Sequence, residues 1–317
     1  RPRTLTAESP GIAPAYPVAV TSGSPNSRPP LPEPPAPLPV AVTDAHTHLG
    51  TTARKSGLQP ADALARARSV GVRRVVDVGY DVASSRAAIA LAEEHDEVIA
   101  AVAIHPHDVV ELGDGLDEAM RDLEGLLGAS GRIRAVGETG LDFYWVKDSH
   151  GRDAQRAAFA AHIGWAQAHG LALVIHDRDA HEALADVLDA EGWPDRVQMH
   201  CFSGDAAFAR RCLDRGAYLS FPGTVTFKAN DDLREAARLT PRDRILVETD
   251  APYLTPVPVR GRPNASYVMP HTVRFLAELR GDPSDGFCAA LDANASALFG
   301  DWGAGTRDAA GDGGGHG

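Results

Sequence analysis

The sequence has few cysteines, and their number and spacing exclude two kinds of stapled fold. Only three are present among 317 residues, at Cys201, Cys212 and Cys288. An odd number at wide spacing matches neither a disulfide framework nor a paired Cys-x-x-Cys zinc site. We therefore expect a protein of a reducing compartment, the cytoplasm, that folds on its apolar core alone.

Long apolar runs are also missing. The longest clear run is Val98–Ile104, whereas a membrane span requires roughly 20 apolar residues. The N-terminal region contains arginines but lacks the apolar segment of a secretory signal. We expect a soluble protein that does not bind a membrane.

Basic residues are in deficit. The chain has 31 Lys and Arg against 43 Asp and Glu, which gives a net charge of −12. Non-specific binding to nucleic acid depends on many Lys and Arg contacts with phosphate, so a broad basic surface is excluded. Any nucleic acid must be held locally, and a metal site could do this.

Proline is abundant at one end of the chain. Twelve of the 23 prolines fall within residues 1–40, a density that excludes helix and strand pairing. We expect residues 1–40 to be a disordered, polyproline-like extension, either a ligand for proline-binding domains or a solvated tail without a specific partner. Residues 301–317 are rich in Gly and Asp and are expected to form a second disordered tail. The folded domain then covers residues 41–300.

Within that domain, short apolar runs alternate with longer amphipathic stretches, the pattern of repeated βα units in a parallel sheet. We predict strands at Val40–His46, Arg73–Gly79, Val98–His105, Ile133–Glu138, Ala172–His176, Val197–Cys201, Ala217–Phe221 and Ile245–Glu248. Predicted helices include Ala61–Val70, Ser84–His95, Arg152–His169 and Ala180–Ala190. Eight such units predict an α/β fold, the closed (β/α)8 TIM barrel. An open doubly wound sheet is the alternative, but the Gly-rich phosphate turn of that fold does not follow the first strand.

Metal-competent side chains follow five of the predicted strands. His46 and His48 project to one face at the end of the first strand because side chains alternate along a strand, with Asp44 one step deeper on that face. Barrel enzymes assemble their active sites at this end, and buried carboxylates and histidines require partners. The strand ends therefore predict a metal site formed by His46, His48, Glu138, His176, His200 and Asp250.

Nearby residues receive structural interpretations. Glu248 precedes its strand end and is expected to pair with a neighbour, and Cys201 is expected to point away from His200 as a buried inert thiol. Four histidines on predicted helices are expected at the surface: His95, His162, His169 and His181.

Seven ordered motifs over about residues 42–300 resemble those of TatD-type metal-dependent deoxyribonucleases. They are Asp44–Leu49, Ile104–His107, Val136–Tyr144, Ile175–Ala180, His200–Gly204, Ser220–Val225 and Glu248–Leu254. The resemblance implies a barrel of the metal-dependent hydrolase type. It also implies that His46, His48 and Asp250 hold one metal ion, that His176 and His200 hold the second, and that Glu138 bridges both.

The activity that this resemblance implies is 3′–5′ exonuclease cleavage of phosphodiester bonds, in single-stranded DNA or at 3′ ends, with two divalent ions of Mg, Mn or Zn. The two ions bring four positive charges against one negative charge each from Glu138 and Asp250, which leaves a cationic centre for an anionic substrate. Asp250 is the predicted base, which takes a proton from the attacking water, and Glu138 is the second catalytic residue.

Candidate substrate-binding residues are Arg178, His105, Ser203, Lys228 and Arg260. An ion pair with Asp177 or Asp179 is the alternative for Arg178, and a solvated surface position is the alternative for Lys228 and Arg260. Four aromatic residues that follow strand ends are expected either to stack on bases or to pack at the rim: Phe143, Tyr144, Phe202 and Tyr253.

Two other functions remain open. One is a metal-dependent amidohydrolase or aminoacyl-tRNA deacylase on the same barrel, although many such barrels place a carboxylated Lys where this chain has Glu138. The other is a non-catalytic binding or scaffold protein whose working part is the proline-rich extension.

Overall fold

Eight parallel strands, each hydrogen-bonded to the next along the chain, form a barrel in the computed structural model, which describes residues 29–300 and residue 302. Within these residues the strands are β1 Val42–Thr47, β2 Val72–Val78, β3 Val98–Val102, β4 Ile133–Asp142, β5 Ala172–Arg178, β6 Val197–Met199, β7 Tyr218–Phe221 and β8 Ile245–Val247. The predicted (β/α)8 barrel is confirmed, and the largest difference is β4, which continues four residues beyond its predicted end at Glu138.

Helices cover the outside of the barrel and connect its strands. Among the described residues they are α1 Leu49–Ser56, α2 Pro60–Ser69, α3 Val82–Glu94, α4 Pro106–Glu111, α5 Leu116–Glu124, α6 Ser149–His169, α7 His181–Glu191, α8 Ala206–Asp214, α9 Asp231–Leu239, α10 Pro270–Arg280 and α11 Ser284–Phe299. Short 3-10 turns occur at Gly113–Gly115, Gly223–Thr226 and Ser266–Val268. None of the helices described is both long enough and apolar enough to cross a bilayer.

The barrel closes at the carboxyl ends of its first and last strands. An isolated parallel bridge pairs Thr47 with Ala251. The His48 backbone N–H donates to the Ala251 carbonyl at 2.9 Å, and the Asp250 N–H donates to the His46 carbonyl at 2.9 Å. Closure of the barrel therefore places the backbone of His46 and His48, two predicted metal ligands at the end of β1, next to that of Asp250.

Apolar side chains form two buried layers. One lies between strands and helices and includes Val42, Val102 and Phe159. The other joins alternate strand residues such as Val76 and Val174 to the end of α11 and to Trp302. Because strand side chains alternate between faces, this second layer fills the barrel interior below the active-site mouth.

Part of the proline-rich segment packs against the barrel. Residues 29–40 form no helix or strand, yet Leu38 is only 7% exposed and its N–H donates to the Val70 carbonyl at 3.0 Å. The Tyr267 hydroxyl donates to the Pro32 carbonyl at 2.7 Å. These contacts join residues 29–40 to the barrel, whose Tyr267 hydroxyl satisfies a carbonyl of the segment. Residues 1–28 of the predicted extension and residues 301–317 of the predicted tail, apart from Trp302, lie outside the described residues.

The expectation that His162 is a surface residue is wrong. His162 is fully buried on the inner face of α6, where its Nε2 accepts the Ile104 N–H at 3.2 Å and its Nδ1 lies 2.7 Å from the Ala158 carbonyl. Both ring nitrogens are therefore satisfied inside the protein, which offsets the cost of burying an imidazole.

Candidate metal centre

The carboxylate of Glu138 lies between two pairs of histidines. Its Oε2 is 3.5 Å from His46 Nε2 and 3.7 Å from His48 Nε2. Its Oε1 is 2.9 Å from His176 Nδ1 and 3.4 Å from His200 Nε2. One side chain in the second half of β4 thus faces the carboxyl ends of β1, β5 and β6 with separate oxygens.

Asp250 completes one side of this arrangement. Its Oδ1 lies 3.4 Å from His48 Nε2 and 3.9 Å from His46 Nε2. Asp250 has a φ of 51°, a left-handed conformation that turns the chain immediately after β8. All six residues predicted as metal ligands therefore come together, and we call them the Glu138 cluster: His46, His48, Glu138, His176, His200 and Asp250.

A glycine lets β4 pass close to β5 beside this cluster. Gly140 has a φ of 142°, and a Cβ built on it would lie 2.1 Å from the His176 carbonyl oxygen. Any larger residue would have to push the two strands apart. This close approach of β4 to β5 keeps Glu138 and His176 within hydrogen-bonding distance.

Three histidines of the cluster are oriented through their outer nitrogens. His48 Nδ1 is 2.7 Å from the Val78 carbonyl, His176 Nε2 is 3.2 Å from Asp142 Oδ2, and His200 Nδ1 is 2.9 Å from Glu248 Oε1. An imidazole held in this way presents its other nitrogen to a metal. Among the described residues, neither His46 Nδ1 nor His200 Nδ1 has a hydrogen-bond partner, so Glu248 contacts His200 as an ion pair.

The electrostatics of the cluster fit a site for cations. Burial opposes charge on His176, but Asp142 and Glu138 raise the pKa of its imidazole to about 9. Burial likewise opposes charge on His200. The charges of Glu248 and Glu138 nevertheless raise the pKa of its imidazole well above the ordinary value. Burial and the charge of His200 lower the pKa of His46 to about 3, which leaves that imidazole neutral. The carboxylates thus favour positive charge at His176 and His200.

The donor set itself fits divalent ions. Among the described residues, four groups have ligand atoms within 4.8 Å of one another: His46, His48 and Asp250; His46, Glu138 and His200; His105, Glu138 and His176; and His200, Cys201 and Asp250. Imidazole donors favour Zn²⁺ or Mn²⁺, and the carboxylates also admit Mg²⁺. These groups overlap, since His46, Glu138, His200 and Asp250 each occur in two of them.

His105, predicted to bind substrate, lies beside the cluster as a hydrogen-bond donor. Its Nδ1 accepts the His107 N–H at 3.1 Å, so the proton of the neutral ring is on Nε2. That nitrogen lies 3.5 Å from Glu138 Oε1. Burial and the nearby charge of His176 lower the pKa of His105 to about 3, which keeps the ring neutral. This tautomer favours donation to an acceptor over metal ligation through Nε2.

The remaining predicted substrate-binding residues are distributed around the barrel mouth. The Arg178 guanidinium stacks 3.6 Å over the Tyr144 ring. The Ser203 hydroxyl is exposed and donates to the Asp177 carbonyl at 3.3 Å. Lys228 is exposed, and the exposed Arg260 lies 4.1 Å over the Phe227 ring.

Glu248 and Cys201 both lie next to His200, and the sequence made a prediction for each of them. Glu248 pairs with His200, as predicted. The predicted direction of Cys201 is wrong: its sulfur lies in a group with ligand atoms of His200 and Asp250. β6 ends at Met199 and Cys201 has a φ of 44°, so strand alternation no longer applies there. Burial and the charge of Asp250 raise the pKa of its thiol, in keeping with an unreactive cysteine.

Sequence reasoning missed several residues that position the site. Asp142 contacts His176, and Asp77 accepts the Leu49 N–H at 2.8 Å where β1 leads into α1. Lys55 donates to the Tyr253 hydroxyl at 3.0 Å. The position of Asp142 four residues after Glu138 was a usable signal, but Lys55 lies on a helix whose pattern indicates only surface exposure.

An eight-stranded parallel barrel with histidines and carboxylates gathered at the carboxyl ends of its strands defines a metal-dependent hydrolase. The chain belongs to the TatD related DNase family, whose model matches residues 43–300.

Relatives support this assignment. The metal-dependent hydrolase TatD of Mycobacterium tuberculosis is 48% identical over 242 residues, which cover 75% of this chain and 90% of that protein. A 3′-5′ ssDNA/RNA exonuclease TatD of Shigella flexneri is 32% identical, with 75% of this chain and 92% of that protein covered. The crystal structure of a TatD homologue of Escherichia coli K12 superposes with a TM-score of 0.74 at 28% identity and covers 81% of this chain and 97% of that one.

Proposed function

We propose that this protein is a 3′–5′ exonuclease that hydrolyses phosphodiester bonds of single-stranded DNA with two divalent ions. The observation that carries the proposal is the division of Glu138 between two histidine pairs, one at each carboxylate oxygen. This arrangement suits a bridging ligand of two ions. The Shigella flexneri relative is named a 3′-5′ ssDNA/RNA exonuclease, which supports the substrate and the direction of digestion.

Two divalent ions at this site would neutralise the phosphodiester and activate water for attack on phosphorus. His46, His48 and Asp250 would hold one ion, and His176 and His200 the other, with Glu138 shared. Asp250 is only 14% exposed in its side chain and lies at the mouth, where it would accept the proton of the attacking water.

Other residues would bind the substrate. The Nε2–H of His105 would donate to a phosphate oxygen, since its neutral tautomer directs a proton into the site. Arg178 would bind a phosphate through its guanidinium, which matches phosphate geometry. Ser203, Lys228 and Arg260 would contact the strand further along the rim.

The experiment compares native protein with Asp250→Asn on single-stranded DNA labelled at either end. The native protein with Mn²⁺ should release labelled mononucleotide from a 3′-labelled strand and give a ladder from a 5′-labelled strand, and a chelator should stop both. Asp250→Asn should lose at least a hundredfold in rate, in line with general base catalysis, while it stays folded.

The matched control is Asp243→Asn, whose side chain is 76% exposed just before β8 begins. It should retain native activity. Full activity of Asp250→Asn would remove Asp250 as the base. A native protein that bound no metal in elemental analysis and cleaved no phosphodiester would instead support the binding-protein alternative.

A further inference from the structure

Two aromatic side chains stand exposed directly after β4, the strand that carries Glu138. Tyr144 and Trp145 are 42% and 47% exposed. Their ring centroids are 5.0 Å apart and the planes meet at 89°, so the edge of one ring faces the other. Large exposed rings that support each other in this way are unusual on a surface that binds nothing.

This aromatic pair is fixed to the Glu138 cluster through one carboxylate. Asp142 Oδ1 accepts the Trp145 backbone N–H at 3.0 Å, while Asp142 Oδ2 lies 3.2 Å from His176 Nε2. The loop is held further where the Phe143 N–H donates to the Arg178 carbonyl at 2.9 Å and Lys147 Nζ donates to the Phe143 carbonyl at 2.7 Å. The rings therefore occupy a set position beside the site.

Positive charge accompanies the rings. The Arg178 guanidinium lies 3.6 Å over the Tyr144 ring and 5.7 Å from the centre of the Trp145 ring. Lys147 Nζ lies 5.5 Å from the centre of the Tyr144 ring. Aromatic surface next to a guanidinium matches one nucleotide, because the base has a π face and its phosphate is anionic.

We propose that Trp145 stacks on a base of single-stranded nucleic acid while Arg178, supported by Tyr144, holds the adjoining phosphate. This assignment rests on the proposed nuclease function and names the element that makes the site prefer single strands. In a duplex both faces of an internal base are covered by neighbouring bases, so such a base reaches Trp145 only after unstacking. A stacking contact is also tolerant of sequence, because every base has a π face.

The test measures kcat and KM for Trp145→Ala, Trp145→Phe and native protein, all loaded with Mn²⁺. The substrates are a single-stranded oligonucleotide, the same strand with an abasic nucleotide at successive positions, and a small alkyl phosphodiester without a base. Trp145→Ala should lose roughly tenfold in kcat/KM on the intact strand, mainly through KM, and Trp145→Phe should retain most of it. Neither variant should change hydrolysis of the alkyl diester.

The abasic strands distinguish stacking from a structural effect. At one position the abasic nucleotide should lower kcat/KM of the native protein by the same factor as Trp145→Ala lowers it on the intact strand. On that abasic strand, Trp145→Ala should cause no further loss of kcat/KM. Val40→Ala, 37% exposed two residues before β1 begins and at the end of the barrel opposite the Glu138 cluster, is the control and should match native protein throughout. A Trp145→Ala variant with native kinetics on the intact strand, or with an equal loss on every abasic strand, overturns the assignment. Native protein that hydrolyses the alkyl diester but no single strand overturns the nuclease function instead.

Discussion

Glu248 orients His200 from beneath the cluster. Its Oε1 lies 2.9 Å from His200 Nδ1, and the two side chains are 0% and 3% exposed. The same carboxylate accepts hydrogen bonds from the Ser220 hydroxyl at 2.5 Å, the Gln198 amide at 3.0 Å and the Cys201 N–H at 2.6 Å. This ion pair at the outer nitrogen of His200 leaves its Nε2 facing Glu138 Oε1, which is 3.4 Å away.

Replacing Glu248 by Gln should weaken metal binding at the His200 side of the cluster. Gln keeps the size but loses the charge, and its amide N–H groups would face donors that now bind a carboxylate. Loss of such an outer partner typically costs about 10–100-fold in metal affinity. Calorimetric titration with Mn²⁺ measures this loss, and Glu235→Gln, an exposed residue of α9, is the control. Equal affinities for Glu248→Gln and native protein would contradict this positioning role.

Metal ions should stabilise the native protein much more than a Glu138→Gln variant. A ligand at a hundred times its dissociation constant adds about 2.7 kcal/mol to the free energy of unfolding. Glu138 contributes an oxygen to both sides of the cluster, so its replacement should remove most of this gain. Thermal unfolding with Mn²⁺ and with chelator measures the difference, and Glu118→Gln, exposed on α5, should behave as native. The idea fails if Glu138→Gln is stabilised as much as native protein.

The positions of the cluster residues could be predicted because each follows a strand whose apolar run is plain in the sequence. His46, Glu138 and His176 sit at such ends, and a parallel barrel brings all carboxyl ends of its strands to one mouth. The ordering of ligands around the site could not be predicted, because it depends on ring orientations. These are set by distant partners such as Val78 and Glu248.

Three positions could not be inferred from the sequence, each for a local physical reason. Cys201 faces the site because its left-handed φ breaks strand alternation. His162 is buried because one face of α6 packs on β4, and a polar residue there finds two backbone partners. A proline-rich segment offers carbonyls without N–H groups, and nothing in its own sequence reveals donors such as Tyr267 that lie far away along the chain.

His162 should make stability depend on pH in the acid range. Burial lowers the pKa of its imidazole from the ordinary 6.5 to about 4, since protonation would place a second N–H against the Ile104 N–H. A base whose folded pKa is lowered contributes stability above pH 6.5 and loses it as the pH falls to 4. The shift corresponds to about 3 kcal/mol at 1.36 kcal/mol per pKa unit.

Urea unfolding of His162→Gln and native protein between pH 4 and pH 7 measures this contribution. The stability difference between the two should shrink steadily as the pH falls. His169→Gln changes an exposed histidine of the same helix and should keep the native pH dependence. A difference between His162→Gln and native protein that stays constant with pH would show that His162 does not titrate as proposed.

Leu38 should anchor the proline-rich segment to the barrel. It is 7% exposed and packs against Gly71, where an added Cβ would lie 3.2 Å from Leu38 Cβ. Leu38→Ala leaves a cavity and loses buried apolar area, which costs about 2 kcal/mol or more for a buried leucine. Val40→Ala removes apolar atoms from a residue that is 37% exposed and should cost less than about 0.5 kcal/mol. Urea unfolding of the full chain compares the two, and equal midpoints would mean that residues 29–40 add nothing to the stability of the barrel.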